Sequence, residues 1–224
     1  MADGGPRVVD VEFVQDLTRE SAPDAGYLRR RRVRAKSVLS DGRRTAPYVV
    51  DWVERAPGKE DAVGICVHAD IDGQRWVLLR RQLRVAQHVA IGEPLSLEIV
   101  AGVIEPGRSV EEMAVIEAHE EAGLRLSVGD IRPLGQPIFP VIASFSEQIH
   151  IVEAEVPAAA FEHLETPPTD GSPMEEGADL WLGRLDEALR LAYCAPRERD
   201  DGLFLADAKT EIALFRLRDR LEGR

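Results

Sequence analysis

Cysteine is nearly absent from this chain: 224 residues hold two, Cys66 and Cys194. One pair allows at most a single disulfide and excludes a cysteine-framed scaffold. Cys66 lies in the apolar run AVGICVHA and reads as a small buried hydrophobe. His88, His119 and His150 show no ligand spacing with other histidines or with cysteine, so no zinc-type cluster is expected. No window approaches eighteen uncharged apolar residues, and a helical membrane span is not expected. The opening MADGGPRVVD lacks the basic start and apolar stretch of a secretory leader, so the expected location is the cytoplasm. Positive charge is in the minority, with 28 Lys and Arg against 40 Asp and Glu and a formal net charge of −12. That balance argues against general nucleic-acid or membrane-surface binding while leaving room for a local basic pocket. There is no internal repeat and no low-complexity tract.

What is present is a series of short strand patterns and a few helices. VVDVEFV (8–14) alternates as a strand. RRRRVRAKSVLS (29–40), the Asp41-Gly42 turn signal and APYVVDWVER (46–55) form an expected hairpin. Pro57-Gly58 marks a boundary, giving a small N-terminal β-subdomain at 1–57 and a main domain at 58–224. DAVGICVHAD (61–70) and RWVLLRRQLR (75–84) are strands around Asp72-Gly73, and after a loop LSLEIVAG (95–102) reads as one short strand. Further strand-like runs fall near 130–139 and 147–156, then a long Pro/Gly/acid-rich loop at 157–178. DLWLG is strand-like, and 185–193 and 207–224 read as helices. Strands interleaved with few helices suggest a mixed-sheet α/β (α+β) sandwich.

The densest chemistry lies in AGVIEPGRSVEEMAVIEAHEEAGL (101–124). Ser109 opens a helix, with Glu112 at capping-box spacing and Gly123 suited to the left-handed position after its end. Residues three and four apart share a helix face, so Glu117, Glu120 and Glu121 form one acidic patch. Like charges at that spacing repel, and a cation reverses the sign. Carboxylates that leave room for water and substrate phosphate suit Mg²⁺. The rival reading of the helix alone is a solvated charged face. The strand end at Ala101-Gly102 and the Glu-Pro-Gly turn at 105–107 favour a site.

This stretch resembles the Nudix box, G-x5-E-x7-R-E-U-x-E-E-x-G-U with U aliphatic. Gly102 takes the first place, Glu117 and Ala118 follow the arginine position, Glu120 and Glu121 form the Glu-Glu pair, and Gly123 and Leu124 close it. Two places depart: Arg108 stands for the first glutamate and Ile116 for the arginine. In relatives that arginine orients the neighbouring glutamates, which Ile116 cannot do; Arg108 is the expected substitute for its charge. The resemblance spans roughly residues 8–220 and is nearest the ADP-ribose and nucleoside-diphosphate-sugar pyrophosphatases. Arg81-Gln82-Leu83-Arg84, LEIVAGVIEPG, IFPVIASFSEQIHI and DAKTEIAL carry it, with Val141-Ile142-Ala143-Ser144 in place of the usual Ser-Pro-Gly.

The resemblance implies a Nudix α/β/α sandwich with a mixed sheet, and an N-terminal subdomain that builds a homodimer. It implies Mg²⁺, with Mn²⁺ as the alternative, held by Glu117 and Glu121, with Glu120 nearby, and by the carbonyl of Ala101. Glu120 is also a candidate catalytic residue, and the general base is expected in the loop that carries Glu175 and Glu176. Arg84 and Arg81 are expected at phosphate, because a guanidinium offers a fork of donors to phosphate oxygens. The plainer reading leaves Arg80 and Arg81 as strand arginines facing water. Glu98 either meets substrate or metal or pairs with an arginine. The expected activity is Mg²⁺-dependent hydrolysis of the pyrophosphate in ADP-ribose or a related nucleoside diphosphate sugar. The alternative, fed by Arg108 and Ile116, is a nucleotide-binding module without turnover. Arg29 to Arg32 are expected to be solvated or paired across a dimer interface rather than to contact nucleic acid, and Trp52, Trp76 and Trp181 to pack in the core or an interface.

Overall fold

The structure is a computed structural model that describes residues 8–16, 28–55, 61–162, 164, 178–193 and 203–224. Glu175, Glu176 and Cys194 lie outside these residues. Contacts divide the chain into two units. One draws on Met1–Glu60 and Val141–Glu147, the other on Asp61–Pro140 and Gln148–Arg224.

The first unit is an antiparallel sheet of β1 (Val8–Asp16), β2 (Leu28–Leu39) and β3 (Tyr48–Arg55), in that order. Its β2–β3 hairpin is the one read from the sequence. The basic run on β2 meets acids on β3: Arg30 and Arg32 face Asp51 at 3.2 and 3.8 Å, and Arg31 faces Glu54 at 3.8 Å. Most of these groups are partly exposed, so the pairs set register more than stability. Arg55 closes on the nearly buried Glu147 with Nε to Oε1 at 2.6 Å.

The second unit holds β4 (Ala62–Ile71), β5 (Gln74–Leu83), β6 (Leu95–Glu98), β7 (Val100–Val103), β8 (Ile131–Pro133), β9 (Ile149–Glu155) and β10 (Asp179–Arg184). The order is β10-β5-β4-β9-β8, with β6 added to β5 and β7 to β4. Among the described strands of this sheet β4 and β9 alone run parallel, so the sheet is mixed. Helices are α1 (Val85–Ile91), α2 (Val110–Ala122), α3 (Leu185–Leu191) and α4 (Ala208–Leu221).

Strand alternation sends side chains to two cores. Val63, Ile65, Val67, Leu78 and Val100 pack on one face with Met113, Ala114, Ala118 and Ala122 of α2. Cys66, Val77, Leu79, Leu97, Ile99 and Ile151 pack on the other with Leu191, Leu214 and Leu217 of α3 and α4. The expected α/β/α sandwich is therefore observed. The small alanines let α2 lie close to the sheet. Burial pushes the Cys66 thiol up to about 12, as expected of a core cysteine.

Two local readings change. The expected single strand at 95–102 is two strands on different neighbours, divided at Ile99. There the backbone N–H of Ile99 donates to Thr210 Oγ1 at 2.9 Å, so a side chain of α4 takes the place of a ladder bond. The run after β5 is helix α1 rather than a loop, closed by Gly92 in the left-handed conformation at φ 82°. No helix among the described residues is long and apolar enough to cross a membrane.

Candidate active site

The site is assembled where β5 and β7 meet α2. The helix starts at a reciprocal cap: Glu112 N–H donates to Ser109 Oγ at 3.1 Å, and Ser109 N–H to Glu112 Oε2 at 2.9 Å. Gly123 ends it at φ 66°. Between these stops the helix buries Met113, Ala114, Ala118 and Ala122 and leaves Glu120 exposed, with Glu117 and Glu121 half-buried. His119 is exposed.

Glu117 folds back over β7. A Cβ built on Gly102 would stand 1.6 Å from Glu117 Oε1, so this carboxylate occupies the space that any other residue's side chain would take. The first glycine of the box is thus a cradle for the helix glutamate. Burial, and then the neighbouring charges of Glu121 and Glu120, push the Glu117 carboxyl up to about 8. A carboxyl in that setting gains from a nearby cation.

Glu121 is held at both oxygens. Oε2 accepts the Ala101 N–H at 3.0 Å, and Oε1 takes a short hydrogen bond and ion pair from Arg80 Nη1. Arg80 is only 6% exposed, which corrects the reading of it as a water-facing strand residue. The signal that could have found it is the period of β5. Leu78 faces α2, and Arg80, two residues on, shares that face. Arg108, by contrast, is exposed in the turn before α2. Ile116 packs against the apolar cluster under the helix.

The other predicted groups form a second network. Glu98 is buried and accepts Arg84 through Nε at 2.6 Å and Nη2 at 2.8 Å, and Lys209 Nζ at 2.5 Å. Lys209 continues to Asp207 at 2.8 Å, and Asp207 caps α4 through Thr210 N–H at 3.0 Å. Burial pushes the Glu98 carboxyl up, but the hydrogen bonds and charges of Arg84 and Lys209 outweigh it and hold it down at about 2. Of the two roles left open for Glu98, the arginine pairing is the one seen. Arg81 makes a two-pronged pair with Asp179 across β5 and β10, its Nε to Oδ1 at 2.9 Å. Arg81 and Arg84 are thus both bound to carboxylates, while Arg84 keeps 43% of its side chain exposed. Sequence reasoning missed Lys209 and Asp179, because the site residues they meet, Glu98 and Arg81, lie more than 90 residues away.

The grouped carboxylates of Glu117, Glu120 and Glu121 are the kind of oxygen donors that suit a hard divalent cation. Among the described residues no group of three or more His, Cys, Asp or Glu side chains is arranged to hold a metal ion by itself. Mg²⁺ does not require one, since it is commonly held by one or two carboxylates with water and substrate oxygens. The raised Glu117, crowded by Glu120 and Glu121, is the feature that such an ion fits.

No protein-family model matches the chain. Over 85 residues it is 41% identical to the ADP-ribose pyrophosphatases of Escherichia coli K12 and Shigella flexneri, a match covering 37% of this chain and 38% of each relative. The matched segment is thus well under half the length of those relatives. The crystal structure of an ADP compounds hydrolase superposes with a TM-score of 0.57 at 21% identity, over 100% of this chain and 97% of that one, which shows a shared fold. The local sequence match and the common fold together bear out the resemblance to the Nudix hydrolases, on the ADP-ribose pyrophosphatase branch.

Proposed function

We propose that the protein is a Nudix pyrophosphohydrolase that cleaves the pyrophosphate of ADP-ribose or a related nucleoside diphosphate sugar, giving a nucleoside monophosphate and a sugar phosphate. The observation that carries this reading is the Glu117 carboxyl folded over Gly102 beside Glu120 and Glu121. Glu117 and Glu121, with Glu120 nearby and the carbonyl of Ala101, would hold Mg²⁺ or Mn²⁺. Such an ion, when bound, polarises a phosphoryl oxygen and lowers the pKa of an attacking water. The chain's own part is positional. Ala101 N–H fixes Glu121 from β7, Gly102 admits Glu117, and Arg84 presents a partly exposed guanidinium at the end of β5. Arg84 can meet phosphate while Glu98 anchors it, because its fork has five N–H donors. The general base is assigned to Glu175 or Glu176. The β1–β3 unit, with Leu28, Tyr48 and Val49 exposed, is assigned to a homodimer contact.

A second reading, a nucleotide-binding module without turnover, is favoured by Ile116, which leaves α2 without the signature arginine. One experiment separates the two. Purified protein with Mg²⁺ is incubated with a panel of nucleoside diphosphate sugars, and release of monophosphate is followed alongside ligand affinity. Turnover of ADP-ribose or a relative, abolished by chelation, supports the hydrolase. Binding without any monophosphate from the whole panel supports the module.

A further inference from the structure

We propose that Arg80 of β5 is the positioning residue for Glu121, doing from the sheet what the signature arginine does from within the box helix, where this chain carries Ile116. The proposal rests on the hydrolase reading of the site. Arg80 is 6% exposed and aims Nη1 at Glu121 Oε1, with Gln82 Oε1 at 3.4 Å from the same nitrogen. Glu121 Oε2 accepts the Ala101 N–H at 3.0 Å, so its carboxylate is fixed from two strands at once. Burying a guanidinium is costly, and an aliphatic residue packed beside Leu78 would serve stability as well or better. The cost is understandable if a glutamate of the site must be held in one orientation. Ile116, meanwhile, contributes to the apolar cluster under α2. In this chain the strand carries the cation at Arg80 and the helix carries the aliphatic residue at Ile116. Arg108 does not fill the role, being exposed in the turn ahead of the helix.

The test compares wild type, Arg80→Met, Arg80→Lys and the exchange variant Arg80→Met with Ile116→Arg. Mn²⁺ affinity is read by electron paramagnetic resonance, kcat and KM with ADP-ribose, and Tm without metal. Losing a group that orients a metal-site carboxylate typically costs about 10–100-fold in metal affinity or activity. Arg80→Met is expected to weaken Mn²⁺ binding and lower kcat on that scale, with KM within about 3-fold. Arg80→Lys should fall between, since an ammonium keeps the charge but not the planar fork. The exchange variant should recover about 10-fold. If Arg80→Met fails to fold, Arg80→Lys carries the same readouts. Mn²⁺ binding equal to or tighter than wild type in Arg80→Met overturns the proposal, because Arg80 would then be only a counter-charge. An exchange variant no better than Arg80→Met overturns it too. If wild type itself binds no Mn²⁺, the hydrolase reading fails and takes this one with it; if wild type binds and Arg80→Met matches it, only the role of Arg80 falls.

Discussion

Gly102 shows how much a single residue decides here. Its backbone is not in the left-handed region, so alanine is conformationally allowed. The obstacle is space, because the added methyl would overlap the Glu117 carboxylate at 1.6 Å. The clashing atom is the free end of a flexible side chain, so Glu117 can swing away at small cost. Gly102→Ala is therefore expected to change stability by only about 1 kcal/mol. It should nevertheless lower turnover by about 100-fold, the scale of a misplaced catalytic group. Thermal unfolding and kcat measured on the same preparation check both halves. Glu117→Gln and Glu121→Gln keep shape but remove a negative ligand, and each should cost at least ~100-fold in turnover while the protein still folds. Unchanged activity in both would remove the metal assignment.

At the scale of elements, α2 owes its placement to its ends. Ser109 satisfies the Glu112 N–H, so Ser109→Ala should destabilise the protein by about 1 kcal/mol. A urea titration with an unchanged m-value would register that as a shifted midpoint. The junction of β5, β6 and α4 is tied by Glu98, which is 3% exposed and paired with Arg84 and Lys209. Its folded-state pKa of about 2 lies below the ordinary 4.5, so its contribution is fully present above 4.5 and is lost as pH falls toward 2. Glu98→Gln should therefore destabilise the fold at neutral pH by roughly 3 kcal/mol, seen as a lower Tm, with Lys209 keeping Asp207 as its remaining partner. It should also flatten the decline of Tm between pH 4.5 and 2. A variant whose acid limb still parallels that of wild type would show that other carboxylates dominate there.

At the scale of the molecule, the β1–β3 unit has three strands, and Val33 and Ala35 are buried while Leu28, Tyr48 and Val49 stay exposed. So small a sheet gains stability by covering its apolar side chains. The expected outcome is a homodimer at micromolar concentration, about twice 24.8 kDa by sedimentation equilibrium. A mass at the monomer value would exclude it. The larger unit needs no such cover, because α2 takes one face of its sheet and α3 and α4 the other.

Local pattern alone determined the hairpin, the capped glutamate helix, its glycine stop and the carboxylates on one face. Each depends on residues a few positions apart, which fix backbone conformation and side-chain direction together. The resemblance to the Nudix box placed Gly102, fifteen residues before Glu117, although the reason for the glycine is visible only where the two touch. The pairings were decided by tertiary structure. An arginine on a strand carries no mark of its partner, and Arg80, Arg81 and Arg84 are near-neighbours that go to Glu121, Asp179 and Glu98. Which carboxylate each one meets depends on strand order, on the division of 95–103 between β5 and β4, and on where α2 and α4 cross the sheet. Those are long-range consequences of packing two cores on one sheet, and no local pattern contains them.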